Sequence, residues 1–350
     1  LFKRIGLLAL AATLLACEKP SPEQQFVETS NAYYIAPGYQ SLAQQIALLA
    51  AEVQQSCAGP ANVDKPKLQQ QWRVAMAAWQ GIRAINFGPI EDHNLAWELQ
   101  FWPDKKNLVA KKLRPLFKRA LELDQASFAK TSSVAHGLPA LEYLLFDSTV
   151  AQRGSSLQQC QLMVLIAEHL KNVSADLNLH WQQYQTTLLN PGPKNTSFPE
   201  AKLALAMIVD SQLNILEQSS NRKLTTALGL KSSKARVNPY MLESWRSQTS
   251  RQNLQANING VATVFFHGGL QVYLQAKQQQ ALATAIEQQI KAVLALLDAP
   301  QPSYFKQLQS QQLANAKAVQ TALSKLTQLY KHQLPQALEL QLGFNNNDGD

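Results

Sequence analysis

Three segments of this 350-residue chain group side chains able to bind ions or move protons. The first opens at Trp79, passes Arg83 and the Phe87-Gly88-Pro89 break, and reaches Glu91, Asp92 and His93 before a second aromatic stretch, Phe101-Trp102-Pro103-Asp104. Two carboxylates and an imidazole after a Gly-Pro break suit the mouth of a helical bundle, where acids hold a cation; the same acids equally suit the cap of the next helix. The second segment is His136-Gly137-Leu138-Pro139-Ala140-Leu141-Glu142, continuing as Tyr143-Leu144-Leu145-Phe146. Pro139 fits the first turn of a helix, where its missing N–H has no partner to lose. Glu142 then lies one turn inside, between Leu141 and Leu144. It either reaches out to water or is held inside by a partner, and the second arrangement marks a site. His136, beside a glycine, reads as a turn residue or as a ligand. The third segment runs from Arg236 to Ser247 and on through Ser250, Arg251, Asn253 and Asn257 to Gly260. Asn253 and Asn257 share a helix face, with Arg246 and Arg251 near its start. Buried amides want hydrogen-bond partners, which either a ligand or a second bundle supplies.

The elements that must position these residues are helices. Leu42, Ile46, Leu49 and Val53 recur at the three-and-four spacing of an amphipathic helix that ends near Gly59-Pro60. Longer stripes follow: Leu157, Cys160, Val164, Ala167, Leu170 through Trp181 and Tyr184; then Leu282, Ile286, Ile290, Val293 and Leu297; then Leu308, Ala316, Val319, Leu323, Leu326 and Tyr330. No stretch sustains the period-two alternation of a strand, so the fold class is all-α. The Asn190-Pro191-Gly192-Pro193 break divides the chain into two helical bundles, residues 38–190 and 196–338, packed together. Residues 17–37 mix Pro, Ser, Glu and Gln without apolar period and read as a tether. Residues 339–350, ending in Asn345-Asn346-Asn347-Asp348-Gly349-Asp350, read as a frayed tail.

The first seventeen residues form a targeting segment: basic Lys3 and Arg4, an apolar stretch over residues 5–15, and Leu14-Leu15-Ala16-Cys17. The apolar run falls short of the roughly 20 residues a spanning helix needs. A small residue before a cysteine is what lipoprotein processing leaves, so residues 1–16 are expected to be cleaved. Acyl chains on Cys17 would then hold the protein to a membrane. The alternative is an ordinary secretory signal. Glu18 after the cysteine points to outer-membrane sorting, with the protein facing the periplasm. The whole chain carries a net charge of +8, and removing residues 1–16 leaves 30 basic against 24 acidic residues. The excess is dispersed and forms no basic-aromatic run, which argues against a nucleic-acid partner. With Cys17 lipidated, Cys57 and Cys160 remain as an even pair in an oxidising compartment. One disulfide between them would stabilise the fold by about 4 kcal/mol in the chain-entropy model; the alternative is two buried thiols. No cysteine or histidine spacing typical of zinc appears.

Taken together, the Phe-Gly-Pro segment, a G-x-x-x-x-Glu helix running into Tyr-Leu-Leu-Phe, and the later Pro-Tyr, Ser and Arg-Asn stretch resemble the imelysin-like family, the M75 peptidase group that includes iron-regulated envelope proteins. The likeness covers residues 39–334. It implies a pair of helical bundles with a site in the cleft between them and a role around bacterial iron uptake. Of the family's G-x-H-x-x-E motif, Gly137 and Glu142 match, while Pro139 stands where the motif has histidine. Pro139 has no donor atom for a metal, and His136 lies three positions earlier. The resemblance implies a non-enzymatic binding lipoprotein whose cleft is lined by Arg83, Glu91, Asp92, His136, Gly137, Glu142, Arg251, Asn253 and Asn257, carboxylates serving a cation and arginines an anion. Its cofactor would be iron or another divalent cation, with Glu142 and His136 as ligands. Its partners would be the membrane, through Cys17, and iron-uptake components. The alternatives are an M75-type metallopeptidase with Glu91 as base, or a scaffolding lipoprotein with a degenerate site. No HExxH, GxSxG or Ser/His/Asp arrangement supports hydrolysis independently. On the binding reading, Glu142→Gln weakens ligand binding and leaves the melting temperature nearly unchanged.

Overall fold

The computed structural model describes residues 19–59, 64–231, 233–234 and 236–341. Cys17, the signal segment and residues 342–350 of the expected 339–350 tail therefore lie outside the described residues, while Leu340 is buried and its N–H donates to Pro335 O. Among those described there are helices and turns and no strand, as the apolar stripes require.

The first half begins with α1 (Pro22–Ser30), which passes through a π-helical turn, Asn31–Ile35, into α2 (Ala36–Ser56). Residues 17–37 were expected to be a tether, and from Pro22 onward they are not. Ser21 caps the helix by accepting from the Gln24 N–H, Pro22 occupies its first turn, and Phe26, Val27, Tyr34 and Ile35 are buried. The buried set is interrupted by Ser30 and Asn31, themselves buried, so a hydrophobicity pattern fades where the helix continues. The π turn has a local cause. Pro37 cannot donate an N–H and its ring crowds the carbonyl four residues back, and the widened turn just before it relieves both. The same device precedes Pro335, where a π turn at Leu329–Gln333 joins α14 (Ala314–Gln328) to α15 (Leu334–Leu338).

Helix α2 packs against α3 (Lys65–Ile82) and α8 (Ser156–Leu189), a 34-residue helix. Short helices fill the space between: α4 (Leu95–Leu99), α5 (Leu108–Arg119), α6 (Gln125–Ala129) and α7 (Leu138–Phe146). A disulfide joins Cys57 to Cys160, tying the end of α2 to the start of α8 across 103 positions with a Cα–Cα distance of 5.4 Å. The 190–195 break is an ordered turn in which Asn195 donates to Thr187 O and Asn190 O, and the Gly192 N–H donates to Phe198 O. The second half comprises α9 (Ala201–Glu217), α10 (Ser250–Phe266), α11 (Leu270–Ala276), α12 (Gln280–Asp298), α13 (Tyr304–Gln309), and α14 with α15.

The halves meet along several seams. α1 lies on α9 and α11, where Glu23 accepts from Lys277 Nζ and Tyr273 Oη at 2.8 and 2.9 Å. α3 lies on α10 so closely that a Cβ on Gly260 would sit 2.5 Å from Gly81 O. Glycine there lets two backbones approach, and the polar residues on either side of that contact form the site described next.

Candidate functional site

The last turn of α3 presents Trp79, Gln80 and Arg83 toward the second half. The segment after α4 brings Gln100 and Trp102; the loop at residues 242–249 brings Glu243; the first turns of α10 bring Asn253 and Asn257. A π-helical turn after α9, Gln218–Thr225, brings Lys223. These side chains converge on the Glu243 carboxylate, which is 1% exposed. Its Oε1 accepts from Arg83 Nη1 at 2.9 Å and Gln100 Nε2 at 3.0 Å; its Oε2 accepts from Lys223 Nζ at 2.8 Å and Asn253 Nδ2 at 3.0 Å. Lys223 spends its other two donors on Gln80 Oε1 and Asn257 Oδ1, at 2.8 and 2.7 Å. Gln100 Oε1 accepts from Arg83, Trp79 and Gln80. Asn257 Nδ2 donates to Gln80 O at 2.8 Å, stapling α10 to α3. Buried charges are tolerated only with such a complete set of partners.

Electrostatics follow from the count of charges. Burial alone would raise the Glu243 pKa, and the Lys223 and Arg83 charges outweigh it and hold the group below its usual value. Burial pushes Lys223 down to about 8, with Glu243 opposing and Arg83 adding to the effect. Two cations face one carboxylate, so the cluster carries one surplus positive charge at neutral pH.

Arg83 is also where the cluster meets solvent. It lies in the wall of a cavity of about 430 Å³ whose lining includes Trp79, Trp97, Trp102, Glu91 and Arg222. Trp102 stacks near both cations, 5.9 Å from Arg83 and from Lys223. Burial, then the neighbouring Asp92 charge, raises the Glu91 pKa.

The residues expected from sequence do not gather in one place. Arg83 and Glu91 line the cavity, and Asn253 and Asn257 belong to the buried Glu243 cluster. Asp92 is exposed beside Glu91. Arg251 donates to Ala299 O at 2.7 Å, tying the start of α10 to the end of α12 away from the cluster. Glu142 is buried and accepts from the Ser247 N–H and Oγ, both at 2.8 Å on one oxygen, so it anchors the 242–249 loop rather than opening onto the cavity beside Arg83. Gly137 serves packing: a Cβ there would stand 2.8 Å from Leu99 O.

The expected metal pair of Glu142 and His136 is not brought together. His136 precedes α7, separated from it by the extended Gly137 cap, so the helix does not hold it on the face of Glu142. Its ring instead meets Glu98 and His169. His136 Nδ1 and His169 Nε2 lie 2.8 and 2.9 Å from the same oxygen, Glu98 Oε2. Hydrogen bonds from His136 and then His169 outweigh burial and lower Glu98 to about 2.

Removing Glu142 tests its structural role. Glu142→Gln keeps an oxygen for both Ser247 donors and should change neither stability nor binding in the cavity beside Arg83. Glu142→Ala leaves the buried Ser247 N–H unmet, while Ser247 Oγ keeps Ser244 O and Thr249 Oγ1 within reach, and should cost about 1–2 kcal/mol in chemical denaturation. An alanine variant as stable as the parent would show that the loop is held elsewhere.

Sequence reasoning passed over Gln80, Gln100, Lys223 and Glu243. A signal existed for one of them: Lys223 continues the Leu213, Leu216, Ser220 stripe at helical spacing, and a charged residue on an apolar stripe implies a buried partner. Glu98 and His169 are 71 positions apart and carry no local signal.

A family model described as imelysin, of the M75 peptidase group, matches residues 35–333. An imelysin-like protein from Psychrobacter arcticum 273-4 shares the fold at a TM-score of 0.80 and 23% identity, covering 93% of this chain and 99% of that one. A protein named as an iron-regulated protein A precursor from Parabacteroides distasonis ATCC 8503 aligns at a TM-score of 0.68 and 15% identity, over 93% and 96% of the two chains. A search of curated proteins returned no match.

Proposed function

Because this chain belongs to the imelysin family, we propose that it is a non-enzymatic envelope protein that binds a small carboxylate-bearing anion, in the setting of iron uptake a carboxylate chelate of iron, in the cavity between its halves. The observation that carries this reading is the surplus positive charge beneath the cavity, with the Arg83 guanidinium in its wall. Guanidinium and carboxylate form strong charge-assisted pairs, and the three tryptophans offer apolar faces to the rest of a ligand. The iron-regulated name of the Parabacteroides protein supports the iron setting. The Leu14-Leu15-Ala16-Cys17 segment supports anchoring by lipid on Cys17 at the periplasmic face of the outer membrane, with iron-uptake components as partners. Among the described residues no helix is long and apolar enough to cross a membrane.

Citrate, alone and as its ferric complex, is a suitable probe, read by tryptophan fluorescence or calorimetry. Trp97, 45% exposed at the cavity edge, can be replaced by alanine without disturbing the core, and Trp97→Ala should weaken binding several-fold. Lys223 is charged at pH 7 and loses its proton as pH rises through about 8, which removes the surplus charge. Affinity should therefore fall by roughly tenfold between pH 7 and pH 9. No binding of either form, or binding indifferent to both pH and Trp97→Ala, would refute an anion site here.

A further inference from the structure

We propose that Glu98, His136 and His169 form a binding site for one divalent first-row transition metal, separate from the anion cavity and independent of it. The three side chains come from three elements: Glu98 from α4, His136 from the turn before α7, and His169 from the middle of α8. Their ligand atoms all lie within 4.8 Å of one another, and none of the three lines the anion cavity.

The partners around His136 suit a metal ligand. Its Nε2 lies 3.1 Å from Phe128 O, which can only accept, and 2.9 Å from Thr131 Oγ1. With the proton on Nε2 and donated to Phe128 O, the ring turns its Nδ1 lone pair to the side where Glu98 Oε2 lies 2.8 Å away, and a metal ion bound by both would fix that tautomer. A histidine whose far N–H donates to a backbone carbonyl is the usual second layer of a metal site.

Geometry and access agree. Donors on adjacent positions of a six-coordinate ion, each about 2.1 Å from it, stand about 3 Å apart, and Glu98 Oε2 lies 2.8 and 2.9 Å from the two nitrogens. The His136 side chain is 2% exposed, whereas His169 and Glu98 are 14% and 23% exposed. The site is thus walled on one side and open on the other, leaving positions for water or for an exchangeable ligand. Two imidazoles and one carboxylate suit ferrous iron, zinc and their neighbours over calcium or magnesium, which prefer all-oxygen sets. Gly137 makes the arrangement possible, since a side chain there would push α4, and Glu98 with it, away from His136.

The test is a metal titration of the purified protein after chelator treatment, with ferrous iron under anaerobic conditions, zinc and cobalt as probes. The expected result is one metal per chain by elemental analysis, and a cobalt visible spectrum that appears on binding. Affinity should drop at least tenfold in His169→Ala and in Glu98→Gln and remain unchanged in Glu142→Gln. Circular dichroism confirms that each variant is folded, and His169 is exposed enough for its loss to be tolerated if Glu98→Gln is not. Absence of stoichiometric metal in the parent would overturn the proposal and leave the hydrogen bonds of the two histidines with Glu98 as the explanation of the cluster. Stoichiometric binding that survives both His169→Ala and Glu98→Gln would also overturn it, placing the metal elsewhere.

Discussion

Glu243→Gln should destabilise the protein by about 3–5 kcal/mol. The substitution keeps the shape of the side chain and one accepting oxygen, but it leaves Arg83 and Lys223 buried together with no negative charge between them. Lys223 is packed from outside as well, by Gln80 and Asn257, so it cannot swing to water without opening the α3–α10 seam, and Arg83 meets solvent only on its cavity side. The deficit should depend on pH in a defined direction. Lys223 already titrates near 8, and losing its carboxylate partner moves that value lower, while the unfolded lysine stays protonated to about 10.4. Over the interval between these values the unfolded state binds more protons than the folded state, so stability rises with pH. Denaturation of the variant at pH 7 and at roughly pH 9.5 should show partial recovery. Adding Lys223→Met should restore part of the loss at pH 7, because one buried charge is then gone. A Glu243→Gln variant as stable as the parent at every pH would mean that the cluster is solvated, and the surplus-charge argument for anion binding would fall with it.

The second large effect is expected from the disulfide. Cys57→Ser/Cys160→Ser opens a covalent loop of 103 positions, and the chain-entropy model assigns a loop of that length about 4–5 kcal/mol. The bond acts mainly on the unfolded chain, so the variant should keep its helical signal and the packing of α2 on α8 while its denaturant midpoint falls. Full activity in the citrate assay is expected below that midpoint, since neither cysteine lines the cavity. A change near zero would show that α2 and α8 stay associated in the unfolded ensemble, so that the bond removes little freedom.

The two effects separate what the chain's own order of residues determines from what packing determines. Local pattern was enough for the all-α class. Leu42, Ile46, Leu49 and Val53 are all fully buried on α2, and Ile286, Ile290 and Val293 are so on α12, because a 3.6-residue repeat is written in neighbouring positions. Family membership was legible for a related reason, since its motifs are short and contiguous. The pattern misled where polar residues sit on a buried stripe. Ser30 and Asn31 made α1 read as a tether, and Leu157, 63% exposed, was counted into the stripe of α8.

The site was legible only in its parts. Arg83, Asn253, Asn257, His136 and Glu142 each stood out by residue type and neighbours. Which of them meet, however, depends on contacts between segments far apart in the chain: Gln80 with Glu243 across 163 positions, and Glu98 with His169 across 71. No local repeat encodes such a pairing. It follows from how α3 seats on α10 at Gly260, and from how α4 seats at Gly137. Tertiary packing therefore assigned Glu142 to a loop anchor and gave His136 two partners that the motif did not include. It also set two cations around one buried carboxylate, because the free energy of a buried charge is decided by what surrounds it in space and not by its neighbours in sequence.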